Sequence, residues 1–471
     1  MSSQKIYIAN LAVMASIIVL TPAFAADGSG TDNPDLLRGS IPAICNDLIF
    51  CAPIDINPIV APPPQNLNAS TSPPPSKAPP LINDAPLQLY DGYIVPIEEY
   101  QGVLSSPATT FDWSLSLRGA FQQDYRGDRF EVIATPNVSV SHQIQNAQFD
   151  LSATANLSKP FADDLDDEFR VYGAAVDFSG SYRIDKDSLA NFGANFTIDK
   201  ASKNDPSLDI TIVDPPTTVM GSANASIVRR FAKLSGELRG NISRNVYGAT
   251  LLTDTTWSDN SIQNNTRFGG GLRLSYEISP IISPFVDFSA NRSAFDQTLL
   301  ISGESQDSNS YVALAGFTGN WRDILRAEIS AGYGLTKFDS TLVEDVPTTV
   351  FNANLAYNNG KGLDLSANFI TNVSAANPAL GATTKIDYST SALAQYQIND
   401  WVTARANVTA GWAHYDVIDD IERRHSIGVG ADYLLNKHTS FSADYNYGTL
   451  ETTALGKREN HRFELGVTYS R

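Results

Sequence analysis

The chain has 471 residues, 42% of them hydrophobic and 18% charged, and carries a formal net charge of −18. An acidic balance of that size disfavours nucleic acid as a partner, because a polyanion is repelled by it. After residue 25 no apolar run reaches the roughly 18 residues of a membrane-spanning helix, so residence in a membrane would require a barrel of strands.

Residues 1–25 read as an export signal, with Lys5 in the charged leader, an apolar run from Ile6 to Leu20 and Ala23-Phe24-Ala25 as a small-residue cleavage site. No cysteine follows that site directly, so a lipoprotein anchor is not indicated. Residues 26–108 follow as a proline-rich extension, with 14 of the 25 prolines between Pro34 and Pro96. Such a composition favours extended polyproline II and lacks the apolar content of a core. It is read as a periplasmic linker, with a plug or a cell-wall contact as the alternatives. Within it, Leu87 to Tyr100 is richer in aromatics and could order against a barrel. Cys45 and Cys51 reach an oxidising compartment after export; a local disulfide is preferred to a metal site, since two thiols without nearby His offer half a tetrahedral set.

From residue 109 to residue 471 the chain alternates apolar and polar residues between polar turns at Asn146, Lys186, Lys233, Pro280, Asp323, Gly360, Asp400 and Lys437. The turns recur about every 37 to 47 residues, a spacing that a soluble propeller blade could also give. Strand length separates the two. Alternation runs for about ten to fourteen residues, as in the segments from Phe111, Arg267 and Ser310, and a tilted strand crosses a bilayer in about 9 to 11. The fold class expected is all-β, an antiparallel up-and-down transmembrane barrel. Eighteen strands are counted, starting near residues 109, 129, 147, 168, 189, 216, 233, 264, 282, 308, 325, 346, 363, 384, 401, 424, 438 and 460. Long connections are expected at 159–167, 202–215, 249–263, 296–307, 339–346, 374–383 and 450–459. Short turns then lie in the periplasm with both termini, and long loops outside.

Alternation assigns the faces. Leu115, Leu117, Phe149, Leu151, Leu157, Phe192, Phe196, Leu272, Leu274, Tyr276, Ile329, Tyr333, Leu363, Leu365, Phe369, Phe441, Tyr445, Phe463, Leu465 and Val467 are expected to face lipid. Trp113, Trp321, Trp401, Trp412 and Tyr469 lie near strand ends, where interfacial girdles form. Around Val312 and Leu314 the pattern is mixed and both faces stay open. The lumen would receive Asp112, Arg118, Glu131, Asp150, Asp177, Arg183, Asp199, Glu237, Arg239, Arg267, Arg273, Glu277, Asp287, Arg326, Glu328, Asp364, Asp387, Arg405, Asp432, Asp444, Arg462 and Glu464. Fourteen of these 22 are acidic and eight are arginine, so an open pore would lean toward cations, through residues such as Asp177, Asp287 and Asp364. Cross-strand pairing, for example of Glu237 with Arg239 and Arg273, accounts for many of them without any transport role. A barrel of 16 to 18 strands is nevertheless too wide for wall side chains to fill.

Chemistry has little support. His142, His414, His425, His438 and His461 are scattered with no catalytic or metal spacing, so no enzyme activity and no cofactor are expected. Arg126-Gly127-Asp128 has the form of a cell-attachment tripeptide, but Gly and Asp are turn formers first. The last segment, from Asn460, alternates Phe463, Leu465, Val467 and Tyr469, like the terminal strand read by the barrel-assembly machinery, although Ser470 and Arg471 follow the aromatic.

The hairpins RLSYEISPIISPFVDFSANRSAFD from Arg273 and NWRDILRAEISAGYGLTKFD from Asn320 give the chain a resemblance, over roughly residues 109 to 471, to the family described as putative β-barrel porin type 2. The resemblance implies a barrel in the cell outer membrane, in contact with its lipid and lipopolysaccharide, with porin function and, in some members, exopolysaccharide export. The expectation is therefore a passive channel for small polar solutes or ions, with an export outlet or a closed structural or adhesive barrel as alternatives.

Overall fold

Period-two alternation with turn formers at the breaks dictates extended chain, and in a computed structural model it forms a closed barrel. The structure describes residues 108–125, 127–161, 170–200, 211–298, 305–341, 343–375, 384–415, 421–453 and 456–471. The export signal, nearly all of the proline-rich extension, Cys45, Cys51 and Arg126 lie outside the described residues, as do parts of the long loops.

Twenty-one strands follow one another: β1 (Ala108–Asp124), β2 (Gly127–Ile144), β3 (Ala147–Phe161), β4 (Arg170–Asp185), β5 (Ser188–Lys200), β6 (Ile212–Asp214), β7 (Thr217–Phe231), β8 (Leu234–Tyr247), β9 (Thr250–Leu252), β10 (Trp257–Ser258), β11 (Asn265–Tyr276), β12 (Ile282–Phe295), β13 (Ser308–Trp321), β14 (Leu325–Phe338), β15 (Val346–Asn358), β16 (Leu363–Ala375), β17 (Thr384–Gln397), β18 (Val402–Tyr415), β19 (Ile421–Asn436), β20 (Thr439–Thr452) and β21 (Gly456–Ser470). Eighteen build the wall, and the short β6, β9 and β10 make a separate sheet from the long connections. Each wall strand pairs antiparallel with its neighbours, β8 passing directly to β11. Closure comes from β1 against β21, from Ser114 opposite Ser470 to Asp124 opposite Asn460. Trp113 and Arg471 extend that seam with two backbone hydrogen bonds of 3.2 and 3.0 Å. Closure removes the free edges that a sheet in hydrocarbon cannot carry, except along the external half of the β15–β16 seam, where the ladder stops at Ala353 opposite Phe369.

The eighteen starts expected from alternation fall within four residues of those observed. The one sizeable difference is the last external connection, where 450–459 reads as loop but β20 and β21 continue to Thr452 and from Gly456, with Glu451 opposite Lys457. Polar residues on both faces hide a strand that has risen out of the membrane into water, because neither face has an apolar surface to meet there.

Directly opposed residues share a face, so the ladders sort the whole wall. The outer face carries Leu117, Leu272, Ile329, Tyr333 and Leu465, all left exposed by the protein itself, and the inner face carries buried Ala120, Asn245, Glu328 and Glu464. The ambiguous strand is resolved by Asp287 standing opposite Leu314 and Ser289 opposite Val312. Val312 and Leu314 therefore point inward, while Tyr311, Ala313 and Phe317 join the outer face. At the periplasmic rim Trp113 packs on Tyr469 at 5.6 Å between ring centroids.

The β13–β14 turn shows how tightly the periplasmic side is wound. Arg322 and Asp323 both take positive φ, 54° and 57°, the geometry of a hairpin turn that matches strand twist. Asn320 holds it by donating to the Asp323 carboxylate at 2.8 Å and accepting from its backbone N–H at 3.0 Å. The Asn320 amide, and after it the Arg326 guanidinium, keep the Asp323 carboxyl below the usual carboxylate range. A depressed carboxyl pKa stabilises the fold above that range and stops doing so as pH falls through it, so this turn loosens in acid. Arg322→Asn, which suits the left-handed backbone better, is expected to stabilise the barrel by up to about 1 kcal/mol, read as a higher urea midpoint of unfolding.

Candidate functional site

Charged side chains converge on the inner wall in a connected lattice. Its glycines decide how they lie. Arg239 on β8 reaches across β11 to Asp287 on β12, a two-pronged pair at 2.8 and 2.6 Å. The residue it crosses is Gly271, where a Cβ would stand 2.9 Å from the Arg239 Nε. Arg424 on β19 crosses Gly411 on β18, where a Cβ would lie 3.2 Å from its Nη2, and meets Asp387 on β17 at 2.5 and 2.6 Å. Arg273 on β11 travels furthest. It lies 3.6 Å over the Phe285 ring, donates to Thr318 at 3.1 Å and ends on Glu328 of β14 at 3.0 and 2.7 Å. Phe285 in turn occupies the space over Gly316, where a Cβ would come within 2.6 Å of the ring.

Two further groups complete the wall. Arg405 links Asp432 at 2.9 Å and Asp444 at 3.0 Å, with Asp444 seated over Gly430. Arg462 binds Glu131 at 2.7 Å, Gln122 at 3.1 Å and Glu464. Arg118 adds a 3.4 Å contact to Glu464 and lies over Gly466. The arginines thus run along the wall rather than across the lumen, Arg239, Arg424 and Arg118 over glycines and Arg273 over the Phe285 ring. Fork-to-fork geometry makes these the stronger class of ion pair, and losing one partner of a buried pair costs about 3 to 5 kcal/mol.

The twelve residues singled out for the lumen all sit on this face by register, but their surroundings differ. Arg118, Arg239, Arg273, Asp287, Glu328, Arg405 and Arg462 belong to the ion-paired lattice. Arg267 is buried at 6% exposure between Ser243 and Ser293. Arg326 turns toward the periplasmic hairpin, 3.2 Å from Asp323. Asp112, Asp177 and Asp364 have no ion-pair partner among the described residues. Asp112 and Asp177 are exposed on the inner face, Asp177 accepts from Asn195, and one buried Asp364 oxygen has no hydrogen-bond partner.

Sequence reasoning missed a cluster near the external end, in which Glu422 receives Lys385 at 3.1 Å, the Tyr415 hydroxyl at 2.9 Å and Arg424 at 3.4 Å. The signal was present: Arg424 alternates with Ser426, Gly428, Gly430 and Asp432, the inward row of β19, but the preceding Arg423 blurs the period. Among the described residues no group of His, Cys, Asp and Glu is arranged to hold a metal.

Residues 120–471 match the family model described as Putative beta-barrel porin 2. Similar solved structures include OpdO of Pseudomonas aeruginosa, with 13% identity, 77% of this chain and 97% of that chain covered and a TM-score of 0.40. OpdK of Pseudomonas aeruginosa with vanillate gives 12% identity, 77% and 99% coverage and 0.39, and a BenF-like porin from Pseudomonas fluorescens Pf-5 gives 10%, 79%, 100% and 0.40. No curated protein matches the chain.

Proposed function

This chain belongs to the Putative beta-barrel porin 2 family, an outer-membrane barrel whose outer face meets lipid, and from that premise we propose that it is a passive channel for small polar solutes and ions. The observation that carries the reading is solvent access on the inner face: Asp112, Asp177, Ser222 and Asn224 are exposed there although the wall is closed. With arginines held along the wall by carboxylates on nearby strands, the wall leaves the interior of a barrel this wide to water. Transport then depends on width and charge, with no chemistry at the wall.

A lean toward cations rests on Asp112, Asp177 and Asp364, the acids without a cationic partner; Asp287 drops from that role because Arg239 neutralises it. A lumen ring of one sign concentrates the opposite ion. The double variant Asp177→Asn with Asp364→Asn is expected to move the reversal potential under a salt gradient toward that of an anion-preferring pore. An unchanged reversal potential in a conducting channel would reject these two residues as the selecting charges. Outward Phe463, Leu465, Val467 and Tyr469 on β21 suit recognition by the barrel-assembly machinery, and the outer rim suits contact with lipopolysaccharide.

The reading is tested by swelling of proteoliposomes holding the folded chain in an isotonic small sugar. Swelling faster than protein-free vesicles supports it. Vesicles that stay inert with a correctly folded barrel would favour a closed structural barrel or a gated export outlet.

A further inference from the structure

One seam of the wall is only half laced. Between β15 and β16 the ladder runs from Asn358 opposite Asp364 to Ala353 opposite Phe369 and then ends. Beyond it, Val346–Asn352 continue to pair with β14 and Ile370–Ala375 with β17, so among the described residues two external half-strands each keep a ladder on one side only. At the fork, side chains stand where ladder bonds would be. The Thr371 hydroxyl accepts from the Phe351 N–H at 3.1 Å and donates to the Phe351 carbonyl at 2.9 Å, and Asn352 Oδ1 accepts from the Thr371 N–H at 3.3 Å. Unpaired backbone at membrane depth is tolerated only where it lines a cavity or is buried in protein.

Apolar side chains flank the fork on both faces. On the inner face, Val312 and Val350 converge over Gly334, whose Cβ would lie 3.5 and 3.3 Å from them. On the outer face a run of rings flanks the same level: Phe351 against Phe369 at 5.4 Å, Phe369 against Trp412 at 6.0 Å and Tyr388 on Trp412 at 5.2 Å. Between them, one on each edge and both facing inward, Thr348 Oγ1 and Asn372 Oδ1 are buried with no hydrogen-bond partner among the described residues, and both residues are only 5% exposed.

We propose that the β15–β16 fork is a lateral portal in the external half of the barrel, through which a linear amphiphile passes between lumen and membrane. Its polar head is taken by Thr348 and Asn372, its alkyl chain lies on Val312 and Val350, and it leaves between Phe351 and Phe369. This is a second route, separate from axial diffusion of polar solutes, so either can fail alone.

The test uses the full chain in proteoliposomes, with dodecanoate as the probe. Val350→Asp is expected to slow protein-dependent dodecanoate uptake about tenfold, because it places a charge on the alkyl track, while sugar-driven swelling is kept. Uptake that persists unchanged in this variant overturns the portal. A second measurement covers the case in which that variant does not fold. In the unaltered chain, the amides of Val373 and Ala375, which alternate with those directed at β17 and face the fork, are expected to exchange about a hundredfold faster than those of β17, and to be slowed by dodecanoate. Exchange as slow as β17, meaning that the chain or a second copy closes the fork, overturns the proposal, and so does fast exchange that dodecanoate leaves unchanged.

Discussion

Arg273→Ala is expected to remove about 3 to 5 kcal/mol of barrel stability, the cost of leaving a buried carboxylate without its partner. Glu328 is 3% exposed and receives both prongs of the Arg273 guanidinium. The truncation also uncovers the Phe285 ring, on which Arg273 lies at 3.6 Å. The pair ties β11 to β14 across two intervening strands, so its loss slackens three ladders rather than one. Urea unfolding followed by the shift between folded and heat-denatured bands measures the effect. Combining Arg273→Met with Glu328→Gln, which neutralises both ends and keeps the volume, should recover most of the loss. A loss below about 1 kcal/mol from the alanine variant would mean that water reaches Glu328 freely and that the lattice is ornamental.

The second large effect is expected at Gly332. A Cβ there would stand 1.9 Å from the Ala313 carbonyl oxygen and 2.8 Å from the Leu314 Cα. Both are backbone atoms of the paired strand, so nothing flexible can yield, and relief requires β13 and β14 to part. Gly332→Val is expected to give little or no folded barrel, beyond the 1 to 3 kcal/mol that is about usual for overpacking. Gly240 is the matched control. Its nearest neighbour to an added Cβ is the Gly269 carbonyl at 3.8 Å, and Gly240→Ala should fold normally. Equal yields of the two variants would show that the strand pair is looser than its register implies.

Much of this barrel was legible before any coordinates. Asn146, Lys186, Lys233, Asp323 and Lys437 mark turns because each of these five turns has only two or three residues in which to reverse, which favours polar residues and those that tolerate positive φ. Leu115, Leu272 and Phe463 could be placed outward because lipid accepts nothing else on that face. The pairing of the charges was not legible. Alternation says that Arg239 and Glu237 share a face, but Arg239 passes over Gly271 to Asp287, a partner 48 residues away that becomes near only once β11 lies between them. The glycines that permit this, Gly271, Gly411, Gly316 and Gly430, read in the sequence as weak strand residues, although their role is to give arginine and aromatic side chains room to lie flat. The end of the β15–β16 ladder was equally hidden, since Val346–Ala375 alternates as well as any other hairpin and Thr371 reveals its bridging role only through its bonds to Phe351.

The central claim is that this wall surrounds an open aqueous lumen, and single-channel recording of the purified, folded chain in a planar bilayer tests it most directly. The expected result is steady conductance that rises with salt concentration, with a reversal potential leaning toward cations. A folded, inserted barrel that passes no current at any holding potential would contradict it.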